Sequence, residues 1–166
     1  MIQLRKDTDQ ALLILTSLLK QKEGVLVSAS AVAENLALPY PTVSKILKAL
    51  HKYGLLNSVQ GPKGGYTVTK ACLQMSVGSV IEKIEGPIAL TLCTSPHKQT
   101  CVSKDSCGIH PHMSVINRMV RGVLMQLPLQ ALIVPLKKAP KNEDIQAFWQ
   151  QYFSMESNNF NEAIPR

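Results

Sequence analysis

Aromatic residues are scarce, with one Trp, three Phe and four Tyr making up 5% of 166 residues. A core folded from this chain must therefore be aliphatic. No stretch approaches the ~18 uninterrupted apolar residues of a membrane-spanning helix, so no membrane partner is expected. The beginning, Met1-Ile2-Gln3-Leu4-Arg5-Lys6-Asp7, reaches charge before any long apolar run. No secretory signal is expected there, and a cytoplasmic location is. The sequence shows no nucleotide-cradling loop, no catalytic acid–base pair and no substrate-pocket motif, so it does not read as an enzyme. It has no internal repeat. At 45% hydrophobic content it is too apolar for a disordered chain. That content suffices for one full core, or for a domain of roughly 80–90 residues with a smaller appendage.

What is present is positive charge, unevenly spread. The formal net charge is +7 and the pI about 9.3. Residues 1–70 carry nine Lys/Arg against four Asp/Glu, whereas residues 137–166 carry four of each. A basic balance suits a polyanion, and its concentration in the N-terminal half says where to look.

That half has the period of helices followed by a hairpin. Leu12, Leu15 and Leu19, with Ala11 and Leu18 beside them, predict a first helix over residues 8–21 closed by Gly24. Val25-Leu26-Val27 reads as a short strand. Ser28 is a suitable N-cap for a second helix from Ala29 to Asn35, with Val32, Ala33 and Leu36 turned inward. A third helix starts at Pro41 and runs to Tyr53, stopped by Gly54. Leu55–Val59 and Tyr66–Val68 read as two strands joined by Gln60-Gly61-Pro62-Lys63-Gly64-Gly65. This order is that of a winged helix-turn-helix. The expected fold is mostly α with a small β-hairpin wing, completed by a long helix further on.

On the third helix, Val43, Ile46, Leu47 and Leu50 share one face. Ser44, Lys45, Lys48 and Lys52 fall opposite. For a lone helix that would be a solvated face. After a short helix and a tight turn it is where a recognition helix meets a major groove. Pro41 and Thr42 at the helix start join the candidate DNA contacts. In the hairpin, Gln60 and Lys63 offer polar reach and charge, and Gly64 removes a Cβ so that backbone can approach a phosphate. An ordinary glycine-rich turn is the plainer reading of that loop.

Cysteines concentrate further on. Ser76 caps a predicted helix Val77–Glu85 ended by Gly86-Pro87. Beyond it Cys93, Cys101, Cys107 and His110 stand in a C-x7-C-x5-C-x2-H spacing. In a chain read as cytosolic these are thiols or metal ligands rather than disulfides. Three sulfurs with one nitrogen or oxygen can hold an iron–sulfur cluster or zinc, although the tight cysteine pairs usual for zinc are absent. Three unrelated thiols in a loop remain the plain alternative. Cys72, standing apart, reads as a buried thiol, and His97 and His112 as solvated or local loop residues.

The segment "LPYPTVSKILKALHKYGLLNSVQGPKGGYTVTK", and "SVGSVIEKIEGPIALTLC" after it, resembles the Rrf-two family of bacterial winged-helix regulators. The resemblance covers about residues 1–135 and rests on the "GPKGGY" wing, the "EGP" after a short helix and the cysteines directly following. The "PTVSKILKAL" segment looks closest to members that regulate the SUF cluster-assembly operon. The resemblance implies an iron–sulfur cluster; its type is left open by the spacing, with 2Fe–2S slightly favoured over 4Fe–4S. It also implies a symmetric homodimer on a pseudo-palindromic double-stranded operator. His110 matches the C-x2-H of IscR-like members. "DTDQALLIL" is similar to the "TDY" of NsrR-like members, in which an aspartate of the partner subunit completes the site, and this makes Asp9 the alternative fourth ligand. Its plainer role is an acid favoured by the dipole at a helix start. Gln60 departs from the arginine that IscR-like members often carry before "GP", so no bidentate guanine contact is implied there.

A last helix is predicted over residues 112–127, broken by Pro128. Its stripe of Ile116, Met119, Val120, Val123 and Leu127 is widened by Val115 and Leu124, with Asn117, Arg118 and Arg121 opposite. Such a stripe could fill its own core. The resemblance makes it the dimer seam. The expected division is a DNA-binding domain over 1–70, a connecting helix over 71–89, a cluster loop over 90–111, a dimerisation region over 112–136 and a tail over 137–166. The expected function is a DNA-binding regulator, in the repressor sense, that senses iron–sulfur status and controls cluster-assembly genes. The alternatives are a winged-helix regulator with a structural zinc or redox-thiol site, and a small iron–sulfur carrier.

Overall fold

The first helix, α1 (Lys6–Leu19), has no side-chain cap at its start. It is placed by a distant partner: the Arg5 N–H donates to Glu85 Oε1 at 2.9 Å, and the Arg5 guanidinium donates to the Ile84 carbonyl at 3.0 Å. This anchor explains a start two residues earlier than local signals suggest. The buried face is Thr8, Ala11, Ile14, Leu15 and Leu18. Leu12 and Leu19, expected at the centre of the stripe, are its half-buried flanks. The computed structural model describes residues 3–96 and 101–134. His97, the end of the 112–136 region and the 137–166 tail lie outside the described residues.

Helix α2 (Ala29–Leu36) is capped by Ser28, whose Oγ accepts from the Ala31 N–H at 3.2 Å. It ends on Ala37 at φ 51°, a left-handed conformation that turns the chain abruptly into α3 (Tyr40–Lys52). Pro41 falls in the first turn of α3, where its missing N–H leaves no helical bond unmade. Val43, Ile46, Leu47 and Leu50 are all buried against α1 and α2.

Strands β1 (Leu56–Val59) and β2 (Gly65–Val68) pair antiparallel, Leu56 opposite Val68 and Val59 opposite Gly65. The strand expected at residues 25–27 contracts to one bridge, in which Val27 and Tyr66 exchange bonds of 3.0 and 2.9 Å. Gly65 makes this possible, because a Cβ there would stand 2.6 Å from the Val27 carbonyl oxygen.

A short helix α4 (Lys70–Leu73), capped by Thr69, carries Cys72 into the core. Helix α5 (Val77–Glu85) is capped by Ser76 and covers the predicted span. Among the described residues, 3-10 turns follow at Leu92–Thr94, at Lys104–Ser106 and, after the long helix α6 (His110–Gln126), at Leu129–Ile133. Helix α6 lies along α5, where Gly78 admits its backbone: a Cβ at Gly78 would come within 2.9 Å of the Leu124 carbonyl. The Val77 N–H donates to the Leu127 carbonyl at 2.7 Å, and Leu129 is fully buried against the rest of the core. Among the described residues, the largest fully buried side chains are Ile14, Leu15, Leu47, Leu50, Leu55, Leu56 and Leu129, an aliphatic set. Among the described residues, no helix is long and apolar enough to cross a membrane.

Candidate DNA-binding face and cysteine loop

Burial of one side of α3 leaves the other side outward. Pro41, Lys45, Lys48 and Lys52 are exposed, and Thr42 and Ser44 half-buried. The helix is fastened along both flanks. On one flank His51 Nδ1 meets the Leu56 carbonyl at 2.9 Å and Nε2 meets Ser58 Oγ at 3.4 Å, which ties the end of α3 to the wing. On the other flank Lys45 Nζ donates to Asp7 Oδ2 of α1 at 2.8 Å. The Lys45 ammonium beside it holds the Asp7 carboxyl below its ordinary range. Sequence reasoning missed both fasteners. Asp7 lies 38 residues from Lys45, and no local pattern joins them.

Gln60 and Lys63 are exposed at the wing tip. Gly64 has a requirement of its own inside the hairpin. Its N–H donates to the Gly61 carbonyl at 2.9 Å, and a Cβ would collide with the Val59 carbonyl oxygen. The closed turn therefore demands this glycine before any nucleic acid does, and Gly61, at φ 118°, supplies the left-handed bend.

The cysteine loop leaves α5 and is bound to α6 along its first limb. Glu82 Oε1 accepts from the Ile88 N–H at 3.2 Å, while the Glu82 carboxylate takes Arg121 in two bonds of 2.7 and 3.0 Å. The Arg121 guanidinium, with the Ile88 N–H, holds the Glu82 carboxyl below its usual range. Asn117 is buried; its Oδ1 accepts from the Leu90 N–H at 2.8 Å and its Nδ2 donates to the Ile88 carbonyl at 3.4 Å. The side of α6 carrying Asn117 and Arg121 thus faces its own chain. The expected apolar half-wheel is split: Leu124 and Leu127 pack on the core, while Val115, Ile116, Met119, Val120 and Val123 stay exposed.

All four cysteines are free. Cys93 is half-buried in the Leu92–Thr94 turn, with its Sγ 3.1 Å from Thr91 Oγ1. Cys101 and Cys107 are half-buried too, and His110, expected in the loop, is the first residue of α6, where its N–H donates to the Cys107 carbonyl at 3.2 Å. Asp9 is exposed in the first turn of α1. By chemistry this donor set suits a soft metal or an iron–sulfur group. Among the described residues, however, no three His, Cys, Asp or Glu side chains converge on one point. Cys72 belongs to the core, and burial pushes its thiol up to about 11.

A helical unit in which α3 follows α2 through a tight turn, with a hairpin wing behind it, defines a winged helix-turn-helix, a DNA-binding architecture of transcription regulators. The family model Rrf2, described as an iron-dependent transcriptional regulator, matches residues 4–135, and the chain belongs to that family. The family is one of transcription regulators, not enzymes. Among curated relatives, the chain is 29% identical over 132 residues to the HTH-type transcriptional regulator NsrR of Halalkalibacterium halodurans, spanning 80% of this chain and 90% of that protein. It is 28% identical over 115 residues to the HTH-type transcriptional regulator IscR of Serratia proteamaculans, spanning 69% of this chain and 68% of that one. Among solved structures, CymR, the global cysteine regulator of B. subtilis, shares the fold with a TM-score of 0.62 at 22% identity, over 80% of this chain and 97% of that one.

Proposed function

We propose that this chain is a homodimeric repressor that binds a pseudo-palindromic operator in the cytoplasm and reports iron–sulfur status to cluster-assembly genes. One observation carries the reading: three free, half-buried thiols sit on a loop hydrogen-bonded to the helix that exposes an apolar face. Residues 1–70 would form the DNA-binding domain, 71–89 the connection, 90–111 the cluster loop, 112–136 the seam and 137–166 a tail. Lys45, Lys48 and Lys52, with Pro41, Thr42 and Ser44, would meet the major groove. Gln60, Lys63 and the Gly64 turn would meet the flanking backbone.

Cys93, Cys101 and Cys107 would hold an iron–sulfur cluster as thiolates, 2Fe–2S favoured over 4Fe–4S. His110 would be the fourth ligand ahead of Asp9, since it begins α6 and its backbone already bonds to Cys107. Bound there, the cluster supplies a centre sensitive to oxidation and to iron supply. Asn117, Glu82 and Arg121 tie the loop to α6, so a rearranged loop bears on the seam and hence on the spacing of the two wings. Such coupling regulates only if the two arrangements bind DNA with different affinity.

Anaerobic purification with iron and sulfide analysis tests this reading. A brown protein is expected. Cys93→Ala, Cys101→Ala and Cys107→Ala should each lose the chromophore. His110→Ala should leave a labile, spectrally shifted centre, and Asp9→Ala should change little. A colourless protein that carries zinc would replace the reading with a structural-zinc regulator. Full cluster content in all three cysteine variants would leave only the DNA-binding function standing.

A further inference from the structure

Of the outward lysines of α3, Lys45 has an acidic partner, while Lys48 and Lys52 have no ion pair among the described residues. The partner comes from another helix and is held in place. Asp7 sits in the first turn of α1, whose start is fixed by Arg5 through Glu85 and Ile84. The positive end of that helix favours its charged form. As a strut the pair does little, because Lys45 and Asp7 side chains are 70% and 56% exposed and such surface pairs add little to folding. Its consequence lies elsewhere: the ammonium it occupies is one that a backbone phosphate could otherwise take.

We propose that Asp7 is an intramolecular competitor on the DNA-binding face: its carboxylate, 2.8 Å from Lys45 Nζ, takes the place of a DNA phosphate in the free protein. Sequence-independent binding is almost wholly phosphate contact. With Lys45 engaged, a passing duplex finds only Lys48 and Lys52 free on this helix, and must displace a carboxylate to gain the third. A complex that engages Lys45 must break this pair, and one that leaves the pair intact forgoes a phosphate contact. Either way Asp7 lowers the affinity of the α3 face for a duplex. The proposal rests on the reading that the outer face of α3 meets DNA.

The test is a double-mutant cycle in the full chain, with binding to a random-sequence duplex followed by fluorescence anisotropy at about 0.1 M salt. Asp7→Asn should tighten binding roughly two- to five-fold more in the wild-type background than in a Lys45→Gln background. Whatever gain persists in the Lys45→Gln background is the general effect of removing one negative charge. Equal gains in both backgrounds, or no gain in either, overturn the proposal. Lys48→Gln, which breaks no ion pair, tests the underlying reading separately. If it weakens binding while the cycle shows no coupling, Asp7 alone loses its role. If it binds like wild type, the α3 interface falls and the Asp7 proposal with it.

Discussion

The exposed face of α6 makes the most exacting prediction. Val115, Ile116, Met119, Val120 and Val123 retain 41%, 44%, 66%, 37% and 42% of their surface in the single chain. Fully burying an aliphatic side chain is worth about 1.5–3 kcal/mol, so covering the remaining half of each yields about 1 kcal/mol. Across five residues and two protomers that comes to about 10 kcal/mol, comparable to the ~4–15 kcal/mol lost on association. The proposed seam should then tolerate no charge. Ile116→Asp combined with Val120→Asp would place four carboxylates in a symmetric interface, each costing several kcal/mol when desolvated. In the free chain both positions are more than a third exposed, so folding should be nearly untouched. Sedimentation velocity at micromolar concentration should find a dimer for the wild type and a monomer for the double variant, with circular dichroism unchanged. A variant that still sediments as a dimer would show that the protomers meet elsewhere.

Four further outcomes follow from side chains now placed. Asn117→Ala should cost about 1–3 kcal/mol in thermal unfolding, because it leaves the Leu90 N–H without its acceptor, and limited proteolysis should cut the 90–111 segment faster. Gly64→Val should disturb the hairpin itself, so DNA affinity measured by anisotropy should fall more than the melting temperature does; normal binding would mean the wing makes no close contact. Cys72, its thiol raised to about 11 by burial, should resist iodoacetamide at pH 8 in the metal-free native protein while Cys93, Cys101 and Cys107 react, as mass spectrometry would count. The Glu82 carboxyl is held below its ordinary 4.5 by Arg121, so the stability it adds is present above that pH and lost as pH falls through the lowered value. Arg121→Gln should therefore flatten the acid limb of the melting-temperature profile without changing its alkaline limb.

The sequence by itself determined the winged-helix architecture, for physical reasons that are local. Apolar residues at helical spacing name the buried side of α3, Ser28 and Ser76 announce two helix starts by their capping oxygens, and glycine at 54, 61 and 64 permits turns that other residues resist. That Cys93, Cys101 and Cys107 share one loop was equally legible, since spacing along the chain is local. The tertiary structure decided what depends on partners far along the chain. The start of α1 is set by Arg5 reaching Glu85 across 80 residues, and the strand at 25–27 shrinks to one bridge because only Val27 finds Tyr66. A hydrophobic wheel could not say which part of the α6 stripe its own core would take. That choice came from the close approach at Gly78 and from the polar anchors Asn117 and Arg121, which turn one side inward and leave five apolar side chains out. The pairing of Asp7 with Lys45 was invisible for the same reason: residues 38 positions apart share a surface only after α1 and α3 have packed.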